Sequence, residues 1–312
     1  MRLLVSLLLL FLSTKPTATK TITIYPKETC SSVARKLTDA GVISNPNVFI
    51  IWSRILGYDK KIKPGRYRFS SNERILRVLK ALSAGGEHRV FVTIPEGYTI
   101  KQIAELLEKE GICASEKFYE ACHNRALISS LNIKAQSLEG YLFPDSYDFL
   151  FNSEPAEIIN RMVKRFFEVI RKITIPKNPY WLDSVVRIAS LVEKEAKVLE
   201  ERPLIASVFY NRLQRRMPLQ SCATIQYILL YPKDVLTIED TKIPSPYNTY
   251  LNPGLPPTAI CNPGEASLRA AIFPKKTDYL YFAVDKDGRH HFSRTFAEHE
   301  RFLRTKRNAN NH

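Results

Sequence analysis

Apolar positions recur along this chain at two spacings. In "YPKETCSSVARKLTDAGVI", Tyr25 to Ile43, Val33, Ala34 and Leu37 repeat every three or four residues and Gly41 follows, the mark of one helical face closed by a glycine. The pattern returns in "IPEGYTIKQIAELLEKEGI", Ile94 to Ile112, where Ile103, Ala104, Leu107 and Gly111 correspond at a constant shift. Each copy predicts a strand, a proline turn and an amphipathic helix, and two copies are too few for a solenoid. Between them the sequence predicts a Pro64-Gly65 turn, an alternating strand from Arg66 to Phe69, and a helix from Asn72 to Ser83 that ends at Gly85-Gly86. The result is a compact α+β module.

From Leu138 the texture changes to helices separated by long loops, notably "LEGYLFPDSYDF" and "IPSPYNTYLNPGLPPTAICNPG". The second carries six prolines in 22 residues, too many for a helix or a central strand, and loops of this length usually carry function. Near the C-terminus, "DYLYFAVDKDGRHHFSRTFAEHERF" alternates on both sides of Asp287-Gly288, a hairpin signal followed by a short helix. The fold class expected is α+β: a small module, then a larger mixed helical and β domain.

One helix poses a chemical question. In "IASLVEKEAK", carried on as a helix at 100° per residue, Val185, Val186, Ile188, Ala189, Val192, Ala196 and Leu199 form an apolar arc. Glu193 falls inside the arc and Glu195 at its opposite margin, about 160° away, so the two cannot form a catalytic pair. A carboxyl among alanines and valines loses hydration, which raises its pKa towards the range of a general acid. A surface Glu pairing with Lys197 would produce the same pattern.

Composition and charge narrow the setting. The 312 residues suffice for one large domain or for two of unequal size, and 45% hydrophobic with 25% charged residues is an ordinary globular composition. The formal charge of +15 suits anionic lipid or polymer surfaces. No zinc-finger spacing, GxxG loop or RRM motif appears, so nucleic acid is not an expected partner. "MRLLVSLLLLFLSTKPTATK" joins Arg2 to an apolar run from Leu3 to Leu12, the grammar of an export signal or a short membrane anchor. Five cysteines leave at least one unpaired; Cys113 and Cys122 are a pair that an oxidising compartment could join. His290 and His291 have no third ligand at helical spacing, so no metal or other cofactor is expected.

A set of stretches in fixed order carries a resemblance: "LEGYLFPDSYDF", "ASLVEKEA", "ERPLIASVFYNRL", "MPLQS", "SPYNTY", "GLPP", "NPG" and "LYFAVDKDGRHHFS". From about Thr21 to Phe302 the chain resembles the YceG-like family of endolytic murein transglycosylases. That resemblance implies a bacterial lyase of the cell envelope that cuts the β-1,4 bond between MurNAc and GlcNAc within nascent glycan strands and leaves 1,6-anhydro ends. It implies residues 1–19 as export signal or membrane anchor, 20–92 as a LysM-like module and 93–312 as the catalytic domain. The location would be the cytoplasmic membrane, with the catalytic domain on its periplasmic or outer side. Glycan strands would be the substrate, and cell-wall synthases or division machinery the protein partners.

The resemblance also implies that Glu193, the first glutamate of "VEKE", is the catalytic acid and base. One carboxyl can serve where glycosidases need two, because the substrate's own C6 hydroxyl is the nucleophile. The carboxyl protonates the departing O4, then takes the hydroxyl proton. Asn211, Gln220, Ser221, Thr224, Tyr247, Asn248 and Thr249, with Glu139 and Tyr141 as weaker candidates, would bind the sugars. The sequence departs from the family at Cys222-Ala223, where Asp-Pro is usual, and at Thr258-Ala259 after "GLPP". The alternatives are a glycan-binding scaffold without catalysis and a hydrolase in the same cleft.

Overall fold

The structure, a computed structural model, describes residues 19–310 except 26, 87–88, 174–177 and 230–232. The expected signal or anchor lies outside these residues. The chain divides into two compact units. The first holds the described residues up to Val90 with Glu110–Ile112 and Asp148–Asn152, and the second holds the rest.

In the first unit β1 (Thr19–Ile24), α1 (Cys30–Asp39), α2 (Pro46–Ile55), β2 (Gly65–Ser70) and α3 (Ile75–Ala84) follow in order. β1 and β2 pair antiparallel with Ile22 opposite Tyr67, so Ile22, Ile24, Tyr67 and Phe69 share the inner face. Thr29 caps α1 by accepting the Ser32 N–H, and Asn45 caps α2 with Pro46 in its first turn. Val33, Ala34 and Leu37 close the core with Phe49, Val78, Leu79 and Leu82.

β3 (Arg89–Thr93) and β4 (Ser146–Leu150) form a second two-stranded ladder. The second unit holds α4 (Ile100–Lys109), α5 (Ser115–Cys122), α6 (Arg125–Ser130), α7 (Pro155–Ile173) and α8 (Pro179–Glu195). Then come α9 (Arg202–Gln214), α10 (Cys222–Ile228), α11 (Glu265–Ile272), the hairpin β5 (Tyr281–Val284) and β6 (His290–Ser293), and α12 (Phe296–Asn310). α8 is the central helix: it packs against α11, α9 and α10 and buries residues around most of its circumference. α7 is one-sided, burying Ile158, Ile159, Met162, Val163, Phe166, Val169 and Ile170 at helical spacing.

A buried polar node ties three loops of this unit together. Asn262 accepts the Gly140 and Leu142 N–H groups, both at 2.9 Å, and donates to the Tyr98 carbonyl and to Glu139 Oε1. Gly140 sits at φ +92°, and an added Cβ there would stand 2.4 Å from Val186 and 2.6 Å from Ala259. Only glycine tolerates that combination of backbone and crowding. All five cysteines are free, Cys113 and Cys122 included.

Candidate functional site

The two glutamates of "VEKE" lead to different places. Helix α8 ends at Glu195, and Ala196 turns extended at φ −76°, ψ 119°, so Ala196 and Leu199 leave the apolar arc that the wheel assigned them. Leu199 is 59% exposed. Glu193 keeps its place on the helix, but its carboxylate is occupied: Arg202 donates to Oε1 at 3.0 Å and the Gly264 N–H to Oε2 at 3.0 Å. Gly264 is the N-cap of α11, so Glu193 anchors that helix terminus, a favourable position for an anion. It is a structural tie between α8, α9 and α11.

Glu195 is the residue that opens on a cavity. Half-buried at the last turn of α8, its Oε1 accepts the Ser221 hydroxyl at 2.5 Å. Desolvation pushes its carboxyl above the ordinary range; the Ser221 hydroxyl, the Ala223 N–H and nearby His290 offset this only in part. The C-terminal end of a helix disfavours an anion as well, in the same direction. The cavity in front of it has a volume of about 370 Å³, and its lining includes Arg212, Gln220, Cys222, Tyr250, Tyr281 and His290.

The walls are built by local chemistry. Arg212, from α9, donates Nε to the Leu280 carbonyl at 2.6 Å and Nη1 to Pro218 O, Leu219 O and Gln220 Oε1, which fastens the "PLQS" segment to the strand entering β5. Its guanidinium lies 5.0 Å from the Tyr281 ring centre. Gln220 adopts φ +51°, a strained turn conformation that aims its exposed side chain at the cavity. His290 is held from behind: buried Glu201 accepts its backbone N–H and its Nδ1 at 2.7 Å. Aromatic faces beside polar groups suit sugar rings.

Of the residues named from the sequence, Gln220 lines this cavity and Ser221 touches Glu195. Thr224 and Thr249 lie one layer behind. Thr249 Oγ1 accepts the Ser221 N–H at 3.1 Å, and Thr224 Oγ1 donates to the Ser221 carbonyl at 2.7 Å. Asn248 is fully buried and donates to the Thr241 and Ile243 carbonyls. Asn211 donates to the Thr277 and Tyr279 carbonyls and faces a separate depression. Tyr247 bonds to Thr258 at 2.9 Å.

Glu139 and Tyr141 are corrected from sugar contacts to interior residues, 3% and 1% exposed. Tyr141 donates to Asp183, while Glu139 accepts from the Ile100 N–H, Tyr227 and Asn262. Burial pushes Glu139 up to about 8 despite those donors. Arg212, Tyr250, Tyr281 and His290 line the cavity as well, although no motif in the sequence singles them out.

Three comparisons bear on this geometry. The model of the YceG-like family matches residues 22–305. The chain is similar to an endolytic murein transglycosylase of Bacillus subtilis, 33% identical over 91% of this chain and 83% of the relative. It is also similar to one of Streptococcus pneumoniae, 32% identical over 86% of this chain and 55% of that longer relative. A crystal structure of a yceG-like protein from Listeria monocytogenes superposes with a TM-score of 0.62 at 31% identity, covering 91% of this chain and 98% of that one.

Proposed function

The chain belongs to the YceG-like family, and from that premise we infer an endolytic murein transglycosylase in which Glu195 is the acid and base. The observation that carries this assignment is the position of Glu195: a desolvated carboxyl at a helix end, held by Ser221 and facing an aromatic-lined cavity. Glu193 is engaged by Arg202 and Gly264 and is not among the residues lining that cavity.

Protonated Glu195 gives its proton to the O4 of the departing GlcNAc as the bond from MurNAc C1 breaks. The C6 hydroxyl of the same MurNAc attacks C1, and the carboxylate takes the hydroxyl proton, so the acid is regenerated within one turnover. No water is consumed. Gln220 supplies a donor to the sugar hydroxyls and acetamido groups and Tyr250 a face for a ring, while Arg212 and Tyr281 pack on each other and hold the wall. Ser221 orients the carboxyl; Thr224 and Thr249 hold Ser221, while Asn211, Tyr247 and Asn248 fix the loops around the cleft.

The proposal extends to the setting. Residues 20–92 form a LysM-like module, with the strand, helix, helix, strand order of β1 to β2 in support, and residues 93–312 form the catalytic domain. The apolar run Leu3–Leu12 tethers the chain to the cytoplasmic membrane with the enzyme on the periplasmic or outer side. Synthases that extend glycan strands, or the division machinery, are the expected protein partners.

The test is to incubate the chain from Thr21 to His312 with uncrosslinked glycan strands and to analyse the products by mass spectrometry. The parent is expected to yield anhydro ends from internal cuts, and Glu195→Gln to lose about 10²–10⁴-fold in rate, the usual worth of a general acid. Reducing ends would mean a hydrolase instead. Binding without cleavage would favour the scaffold.

A further inference from the structure

Helix α2 is apolar on the side that faces away from its core. Phe49 and Ser53 point inward and are fully buried, yet Ile51, Trp52 and Ile55 are 56%, 48% and 69% exposed. Val48, Ile51, Trp52 and Ile55 fall within an arc of about 100° on the helix. Leu76 of α3, 49% exposed, continues the patch, and a groove of about 240 Å³ between the helices is lined by Trp52, Leu56, Ile75, Leu76 and Leu79. A contiguous exposed apolar face of this kind marks an interaction surface.

Charge surrounds it. From Pro46 to Ala84 the sequence holds nine Lys and Arg against two acidic residues, Asp59 and Glu73. Glu73 is spent on Arg77 at 3.5 Å. Exposed Arg54 lies one turn from Ile51, exposed Lys80 one turn from Leu76, and exposed Lys60 and Lys61 follow the end of α2. We propose that this α2–α3 face lies on an anionic phospholipid bilayer. Trp52, Ile51 and Ile55 enter the headgroup region, and Arg54, Lys60, Lys61 and Lys80 meet the lipid phosphates.

The chemistry selects this occupant. A glycan needs donors and acceptors, and the groove's five side chains offer a single indole N–H. A second copy would set two cationic rims against each other. An amphipathic surface with Trp and aliphatic residues on one side and basic residues at its edge is what an anionic membrane interface binds. Distance agrees, given the reading of Leu3–Leu12 as an anchor, on which this proposal rests. Seven residue steps separate Leu12 from Thr19, where β1 begins. At no more than about 3.6 Å each, they hold β1 within about 25 Å of the bilayer.

The test uses the full chain in vesicles. Trp52 and Trp181 are the two tryptophans, so Trp181→Phe leaves Trp52 as the reporter. In vesicles of phosphatidylglycerol and brominated phosphatidylcholine, Trp52 emission is expected to fall at least twofold, and its quenching by acrylamide to weaken. In wholly zwitterionic vesicles, or with Lys60, Lys61 and Lys80 changed to Gln, both effects should vanish, as they should with Ile51→Ser and Ile55→Ser. Flotation, read in parallel, separates the two readings. A chain that floats while Trp52 stays equally open to acrylamide in every vesicle overturns the proposal and leaves the anchor; a chain that does not float overturns both. Protection of Trp52 in zwitterionic vesicles that grows with protein density means a second copy covers the face and overturns the lipid assignment.

Discussion

Glu193→Gln separates the two carboxyls of "VEKE" by their physical roles. The side chains of Glu193 and Arg202 are 7% and 13% exposed, so the pair is close to buried, and Arg202 Nε already lacks a partner. Removing one member of a buried pair costs about 3–5 kcal/mol, because the other charge is left uncompensated. Glutamine keeps an oxygen for the Gly264 N–H, a bond worth about 1 kcal/mol net, but turns an N–H₂ group towards Arg202. The expected loss is therefore at the lower end, about 3 kcal/mol. At about 2–4 °C per kcal/mol for a domain of this size, Tm should fall by about 6–12 °C. The assay pairs thermal unfolding with initial rates of glycan cleavage at a temperature where both proteins are folded. A large drop in Tm with the rate per folded molecule preserved is expected. An unchanged Tm with cleavage abolished would refute the reasoning and return the acid to Glu193.

Three further outcomes follow from the site. Ser221→Ala removes a donor that favours the Glu195 carboxylate, so the pKa rises further and the alkaline limb of the pH–rate profile should move to higher pH; an unmoved limb would detach Ser221 from the acid. Glu139, held at about 8 against an ordinary 4.5, keeps a proton in the folded state that the unfolded chain releases. Its contribution to stability is full below about pH 4.5 and lost as pH rises to about 8, so urea midpoints should fall over that window more steeply in the parent than in Glu139→Gln. Cys222 is exposed in the cavity beside Tyr250, whereas Cys113, Cys122 and Cys261 are buried and Cys30 is half-buried against Ser53. Mild alkylation should label Cys222 first and slow cleavage, and Cys222→Ser should resist.

Much of the fold was legible because short-range rules decide it. The repeated pattern of Val33, Ala34, Leu37 and Gly41 against Ile103, Ala104, Leu107 and Gly111 became α1 and α4, and both glycines sit near φ +70°. The hairpin around Gly288 formed where the alternation placed it. Helix α3 begins at Ile75 rather than Asn72, because Asn72 takes φ +55° and the N–H groups of Asn72 and Glu73 go to the Gly41 and Val42 carbonyls. Strand β4 was read as loop: in five residues, "SYDFL", the alternation of Tyr147 and Phe149 is too short to stand out.

The proposed site was legible in its segments and not in the carboxyl we assign to it, for a reason visible in α8. Nothing between Glu193 and Arg202 breaks a helix: the first Gly or Pro after the motif is Pro203. A wheel therefore runs on through Ala196 and Leu199 and puts Glu193 among apolar neighbours. The helix stops at Glu195 because anchors on distant segments hold the chain on both sides of the break. Glu195 is bound to Ser221, 26 residues on, and Glu201 to His290, 89 residues on. Both contacts join residues whose separation carries no local signal, and they compete successfully with helix propensity, a weak determinant of where a helix ends. The break brings the second glutamate to the helix end, where desolvation and the terminal carbonyls both favour its protonated form. The feature that suits Glu195 to acid catalysis is thus the same one that hid it from a periodicity argument.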